Sequence, residues 1–121
     1  MPARDLSINY VEFGVRDCAT TKKFYGDAFG WSFQDWGDDY VSFSPGEAGL
    51  DGGFSSDDPS TIGRPLVILY SSDLEAALAK VEAAGGKILK PIFSFPGGRR
   101  FHFADPSGNE LAIWSDVGVA H

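Results

Sequence analysis

Three side chains of this sequence are placed to move a proton: Glu12, Glu110 and His102. Burial raises a carboxyl pKa, so Glu12 and Glu110 in unlike surroundings could divide the roles of acid and base. An imidazole titrates near neutrality and can serve in either role. All three lie in runs where apolar residues alternate with other types. Val11, Phe13, Val41, Phe43, Val67, Leu69, Phe101, Phe103, Leu111 and Ile113 make up one set. Ile8, Tyr10, Glu12, Tyr40, Ser42, Gly52, Phe54, Leu66, Ile68, Tyr70, Arg100, His102, Glu110, Ala112 and Trp114 make up the other. A period of two places the sets on opposite faces of strands. The second face is aromatic with a few charges, the make-up of a small-molecule site. Aromatic walls beside carboxylates suit a flat or cationic ligand. Each feature also has a plain structural reading. Glu12 or Glu110 can pair with Arg100, His102 can be a hydrogen-bonded wall residue, and the aromatics can simply fill the interior.

The elements that carry these residues come twice. Asp17-Cys18-Ala19-Thr20 opens a helical stretch that closes at Phe29-Gly30, and Asp73-Leu74-Glu75-Ala76 opens another that closes at Gly85-Gly86. Each Asp suits the cap position, where a carboxylate accepts from the free N–H groups of the first turn. Glycine suits the left-handed position after the last turn. A β-rich run precedes each helix, Ile8–Val15 and Leu66–Tyr70. Trp31–Gln34, Tyr40–Ser44 and Leu50–Phe54 follow the first helix as strands. Lys87–Pro91, Arg99–Ala104 and Glu110–Ser115 follow the second. On the first helix Phe24, Tyr25 and Ala28 share an apolar face. Ser94–Gly98 reads as a loop able to cover a cavity, or as an ordinary connection, and Asp105-Pro106-Ser107-Gly108-Asn109 as a tight turn. The expectation is an α+β fold of two tandem βαβββ modules, at about 6–55 and 65–116, joined by a polar linker at 56–64 in one domain. Two half-sheets of this kind would enclose a cavity.

Composition narrows the function. The 121 residues carry 17 acidic and 10 basic side chains, a net charge of −7. Nucleic-acid and anionic-membrane partners need clustered Lys and Arg, so neither is expected. A single cysteine, Cys18, excludes an intrachain disulfide and a cysteine zinc site. It sits in the first turn of a helix, as a small residue beside the cap or as a reactive thiol. Gly46, Gly49, Gly52 and Gly53 lack the Lys-Ser/Thr of a phosphate loop and suit a bend or close approach. With no signal-peptide core and no apolar span, a cytoplasmic location is expected.

Lys23-Phe24-Tyr25-Gly26-Asp27-Ala28-Phe29-Gly30-Trp31 and Asp105-Pro106-Ser107-Gly108-Asn109, within the doubled βαβββ pattern, resemble the vicinal oxygen chelate superfamily. That group includes glyoxalase I, extradiol dioxygenases and bleomycin-resistance proteins. The resemblance runs from about Ile8 to Trp114. It implies a homodimer and a cavity lined by the second residue set. It also implies metal ligands in the first and last strand of each module. Those four positions fall on Tyr10, Gly52, Leu66 and Ala112. None is an imidazole or a carboxylate, the donors a divalent ion needs there. Asp51 neighbours Gly52 but is expected on the opposite face. The expected function is metal-free small-molecule binding like that of bleomycin-resistance proteins, without a cofactor. The alternative is a glyoxalase-like lyase or isomerase using Glu12, Glu110 or His102, with or without a metal.

Overall fold

The computed structural model describes residues 4–118; His121 and the first three residues lie outside this range. The element order is βαβββ twice, an α+β fold of tandem modules.

Residues 10–66 form one compact unit. Strand β1 (Ser7–Gly14) leads to α1 (Cys18–Phe29), then β2 (Gln34–Asp35), β3 (Tyr40–Phe43), a short α2 (Pro45–Ala48) and β4 (Asp51–Ser55). The capping expectation holds: Asp17 accepts from the Thr20 N–H, and Gly30 closes the helix at φ 74. β3 runs antiparallel to β2 and β4, and β4 runs parallel to β1. Cys18, Val41, Phe43 and Phe54 are buried between α1 and the strands, with Val11, Phe13, Tyr25, Trp31 and Phe33 packed around them. Cys18 is a packed core residue, its Sγ 3.7 Å from the Phe54 carbonyl oxygen.

The face assigned to β4 is corrected. Val11 pairs with Gly52 and Phe13 with Phe54, so Gly52 and Phe54 lie on the core face, and Asp51 and Gly53 share a face with Tyr10 and Glu12. Phe54 is 0% exposed. A Cβ on Gly52 would run into the Phe43 ring and lie 2.5 Å from the Val11 carbonyl oxygen. The bare glycine lets Phe43 fill the core, which sets the phase of the strand. Three smaller differences accompany it. Trp31 stacks on Tyr25 with centroids 5.1 Å apart instead of starting a strand. Phe24 is 59% exposed rather than buried with Tyr25. The polar segment after β4 holds a 3-10 turn (Pro59–Thr61), and Ile62 forms a parallel bridge to Gly14.

Among the described residues, the second unit contains 4–9 and 67–118. After β5 (Leu66–Tyr70) come α3 (Leu74–Ala83), β6 (Lys87–Phe95), β7 (Gly98–Ala104) and β8 (Glu110–Ser115). Asp73 caps α3 through the Ala76 N–H. β5 pairs in parallel with β8, which runs antiparallel to β7, and β7 antiparallel to β6. Leu74, Ala77, Phe101 and Ile113 are the buried core, with Leu69, Leu78, Val81 and Phe103 against it. Ser94–Gly98 is not a loop. Ser94 pairs with Arg99 and Phe95 with Gly98, so Pro96-Gly97 is the two-residue turn of a hairpin. Gly97, at φ 99, supplies the backbone angle such a turn requires.

Gly14 marks the closest approach in the first unit. A Cβ there would sit 2.6 Å from the Thr61 carbonyl carbon and 2.8 Å from the Ile62 nitrogen, backbone atoms that no rotamer change can move aside. Gly14→Ala is expected to destabilise the fold by about 1–3 kcal/mol. Gly46→Ala, in a helix and facing open space, is expected to be neutral or slightly stabilising. Thermal unfolding of both variants checks the contrast.

Candidate functional site

Tyr10 and Glu12 alternate on β1, and Tyr40 lies on β3; their hydroxyls and carboxylate meet above β4. The Tyr40 hydroxyl donates to Glu12 Oε2 at 3.0 Å, and the Tyr10 and Tyr40 hydroxyls are directly hydrogen-bonded. A hydroxyl has one proton, so with Tyr40 donating to Glu12, Tyr10 donates to Tyr40. The run is a relay ending on a carboxylate. Burial pushes the Tyr40 pKa far up, and the nearby Glu12 and Tyr10 push it further. Tyr40 is therefore a fixed proton donor. Gly53 makes room for the relay: a Cβ there would lie 2.7 Å from the Tyr10 hydroxyl oxygen. Ser42, on the same strand, accepts from Trp36 Nε1 at 2.9 Å. A cleft of about 660 Å³ opens beside α1, lined by Asp17, Thr20, Phe24 and Ile62; none of the expected site residues lines it.

The second cluster stands on β6, β7 and β8. Register places Arg100 opposite Phe93 and Trp114, and His102 opposite Lys90 and Ala112. His102 is 3% exposed. Its Nδ1 lies 2.8 Å from Glu110 Oε2. A carboxylate only accepts, so Nδ1 carries the proton, leaving Nε2 buried with no partner. Burial pulls the His102 pKa down; its hydrogen bond to Glu110 opposes this, and the Arg100 and Lys90 charges add to it. The Arg100 guanidinium lies over the Phe93 ring at 5.5 Å and the Phe95 ring at 5.7 Å. Phe93 also packs over the His102 imidazole, with centroids 5.7 Å apart. Tyr70 meets Trp114 edge-on at 5.2 Å and donates to Asp116. Trp114 Nε1 donates to Asn9 Oδ1 at 3.0 Å.

The expected residues thus divide into two groups. Tyr10, Glu12, Tyr40 and Ser42 gather in the first unit. Tyr70, Arg100, His102, Glu110 and Trp114 gather in the second. Ile68, at 3% exposure, lies on the same face as Ala112 but offers no surface. Leu66 is half-buried at the start of β5. Phe54 belongs to the core. Lys90, Phe93 and Phe95 were missed because Pro91 signals the end of a strand. β6 accommodates it through a register irregularity between Lys90 and Phe93. The alternation of Ile92 and Ser94 with Phe93 and Phe95 beyond Pro91 was the available signal, whereas Lys90 reaches the Phe93 face only through the register shift.

The doubled βαβββ fold is the one that the resemblance to the vicinal oxygen chelate group implied. Residues 7–113 match the Glyoxalase/Bleomycin resistance protein/Dioxygenase superfamily, and the chain belongs to it. The chain is 27% identical to CFP32 of Mycobacterium tuberculosis, whose name assigns it provisionally as a glyoxylase. The match covers 88% of this chain and 44% of CFP32, so the chain spans less than half the length of that relative. The Mn(II)-bound glyoxalase from Novosphingobium aromaticivorans is similar at 25% identity and TM-score 0.66, over 96% of this chain and 40% of that one. Methylmalonyl-CoA epimerase from Mycobacterium tuberculosis shares the fold at TM-score 0.69 and 14% identity, over 95% and 92% of the two chains.

At the four positions the resemblance gives to metal ligands, the residues supply at most one ordinary donor, the Asp51 carboxylate, too few to hold a divalent ion. Tyr10, Leu66 and Ala112 stand at three of the expected ligand positions. At the fourth, the corrected register exchanges Gly52 for Gly53 or Asp51 on the Tyr10 face. No group of three His, Cys, Asp or Glu side chains comes together among the described residues.

His102 sets a pH dependence. Its pKa is lowered below the ordinary 6.5 in the folded chain. Between the folded value and 6.5 the unfolded chain binds the proton more readily, so stability is lost on acidification through this window and is fully present above it. Urea unfolding at pH 7.5 and pH 5.5 is expected to show this loss, and His102→Gln to reduce it.

Proposed function

We propose that this chain binds a small, flat organic molecule on its aromatic strand faces, without the divalent metal of its superfamily's enzymes. The observation that supports this most directly is the chemistry of the former ligand positions. A phenol, an aliphatic side chain and a methyl group stand at three of the four positions, with Asp51 the one carboxylate at the fourth, while the strand faces of each unit carry aromatic rings and a few fixed polar groups. Such surfaces hold ligands by stacking and a small number of hydrogen bonds. This is a binding role like that of the bleomycin-resistance branch, exercised by a homodimer. No helix among the described residues is long and apolar enough to cross a membrane.

The test has two parts. Elemental analysis after incubation with Zn, Ni, Mn and Fe(II) is expected to find no stoichiometric tight metal; a stoichiometric ion overturns the metal-free reading. A thermal-shift screen of flat aromatic compounds and cationic glycopeptides is expected to find saturable binding, and failure of the whole set sinks the binding reading.

The His102–Glu110 pair favours a second reading, a glyoxalase-like lyase or isomerase. A neutral imidazole with one nitrogen oriented by a carboxylate and the other holding a lone pair has the form of a general base. If the chain turns over a substrate of this class, His102→Gln and Glu12→Gln are expected to lower kcat by about 100-fold or more. Unchanged kcat in both variants removes these residues from the chemistry.

A further inference from the structure

The β6–β7 hairpin concentrates positive charge in a chain whose net charge is −7. Lys90 and His102 are register partners, and Arg100 lies two residues from His102 on the same face. Lys90 and Arg100 both act on the His102 imidazole by charge, and Glu110 faces it from β8. Nε2 of His102 is buried without a partner, and an unsatisfied buried nitrogen carries a standing cost in folding. Phe93 covers the imidazole while remaining 36% exposed itself, and it follows the irregular stretch of β6.

We propose that Lys90, Arg100 and His102 form a recognition site for a small aromatic carboxylate, with Phe93 and Phe95 as its stacking surface. The proposal rests on the small-molecule reading above and names the ligand class. The two cations supply the charge that draws the carboxylate in. The carboxylate offsets their repulsion of a protonated imidazole, so His102 takes up a proton at Nε2 and donates it to the ligand as a hydrogen bond. Glu110, holding Nδ1, stabilises the imidazolium so formed. Binding therefore takes up a proton from solvent, and affinity falls as pH rises.

The test is calorimetric titration of the purified chain with 2-naphthoate, 2-naphthamide and 2-naphthylmethylammonium at pH 6 and pH 8. Saturable 2-naphthoate binding is expected, tighter than either other probe and tighter at pH 6. Lys90→Gln and Arg100→Gln are each expected to weaken 2-naphthoate about fivefold, with the amide unaffected. Lys90 is exposed, so its variant tests the site without disturbing the core. Equal affinity for the amide and the carboxylate, or 2-naphthoate affinity unchanged in both variants, overturns the carboxylate assignment and leaves small-molecule binding standing. If none of the three probes binds, the assignment is overturned, and the broader screen decides the binding reading separately.

Discussion

Each unit is organised by a helix packed against one face of a four-element strand set. The helix must bury its apolar stripe, so one face of every strand beneath it has to be dry. Phe54 and Phe101 lie at the two centres, each 0% exposed. Burying a side chain of that size contributes about 1.5–3 kcal/mol, more than a surface ion pair. Everything chemically useful is thereby assigned to the other face. Where a strand can meet this demand in only one phase, as β4 does with Phe54, the demand overrides any pattern inferred from a sister module.

The opposite face of each unit carries polar groups linked to one another. Tyr40 is held between Tyr10 and Glu12, and His102 is held by Glu110. A buried hydroxyl or imidazole without a partner costs about 1–3 kcal/mol, so such groups tend to come in linked sets. The two clusters differ in sign. The tyrosine relay ends on an anion and presents electron-rich oxygen. The hairpin cluster sets Lys90 and Arg100 around a neutral imidazole. One fold thus presents surfaces of different charge preference. Superfamily membership does not predict this, because function resides in the site and not in the scaffold.

The scarcity of ordinary donors at the ligand positions also has a physical consequence. A divalent ion would otherwise dominate the local field and hold nearby carboxylates and phenols ionised or coordinated. Burial and neighbouring charges act on the protonation of the polar groups on these strands. Tyr40 is held protonated and His102 neutral, by burial first and by neighbours second.

Much of the architecture was legible because it rests on local chemistry. Asp17 and Asp73 announce their helices through capping, Gly30 and the Asp105–Asn109 turn end elements by backbone geometry, and the repeat announces the doubled topology. In the second module alternation also placed Arg100, His102 and Trp114 on one face, since regular antiparallel pairing preserves phase. The phase of β4 and the continuation of β6 past Pro91 were not legible. Both depend on contacts distant in sequence: Phe43 filling the space over Gly52, and β7 pairing across an irregular partner. By itself the sequence determined the fold class, the caps and the set of residues able to do chemistry, because these follow from side-chain type and short spacing. Only the tertiary structure decided which of them meet. Strand register is set by what fits across the core, and a shift of one residue exchanges the dry face for the reactive one.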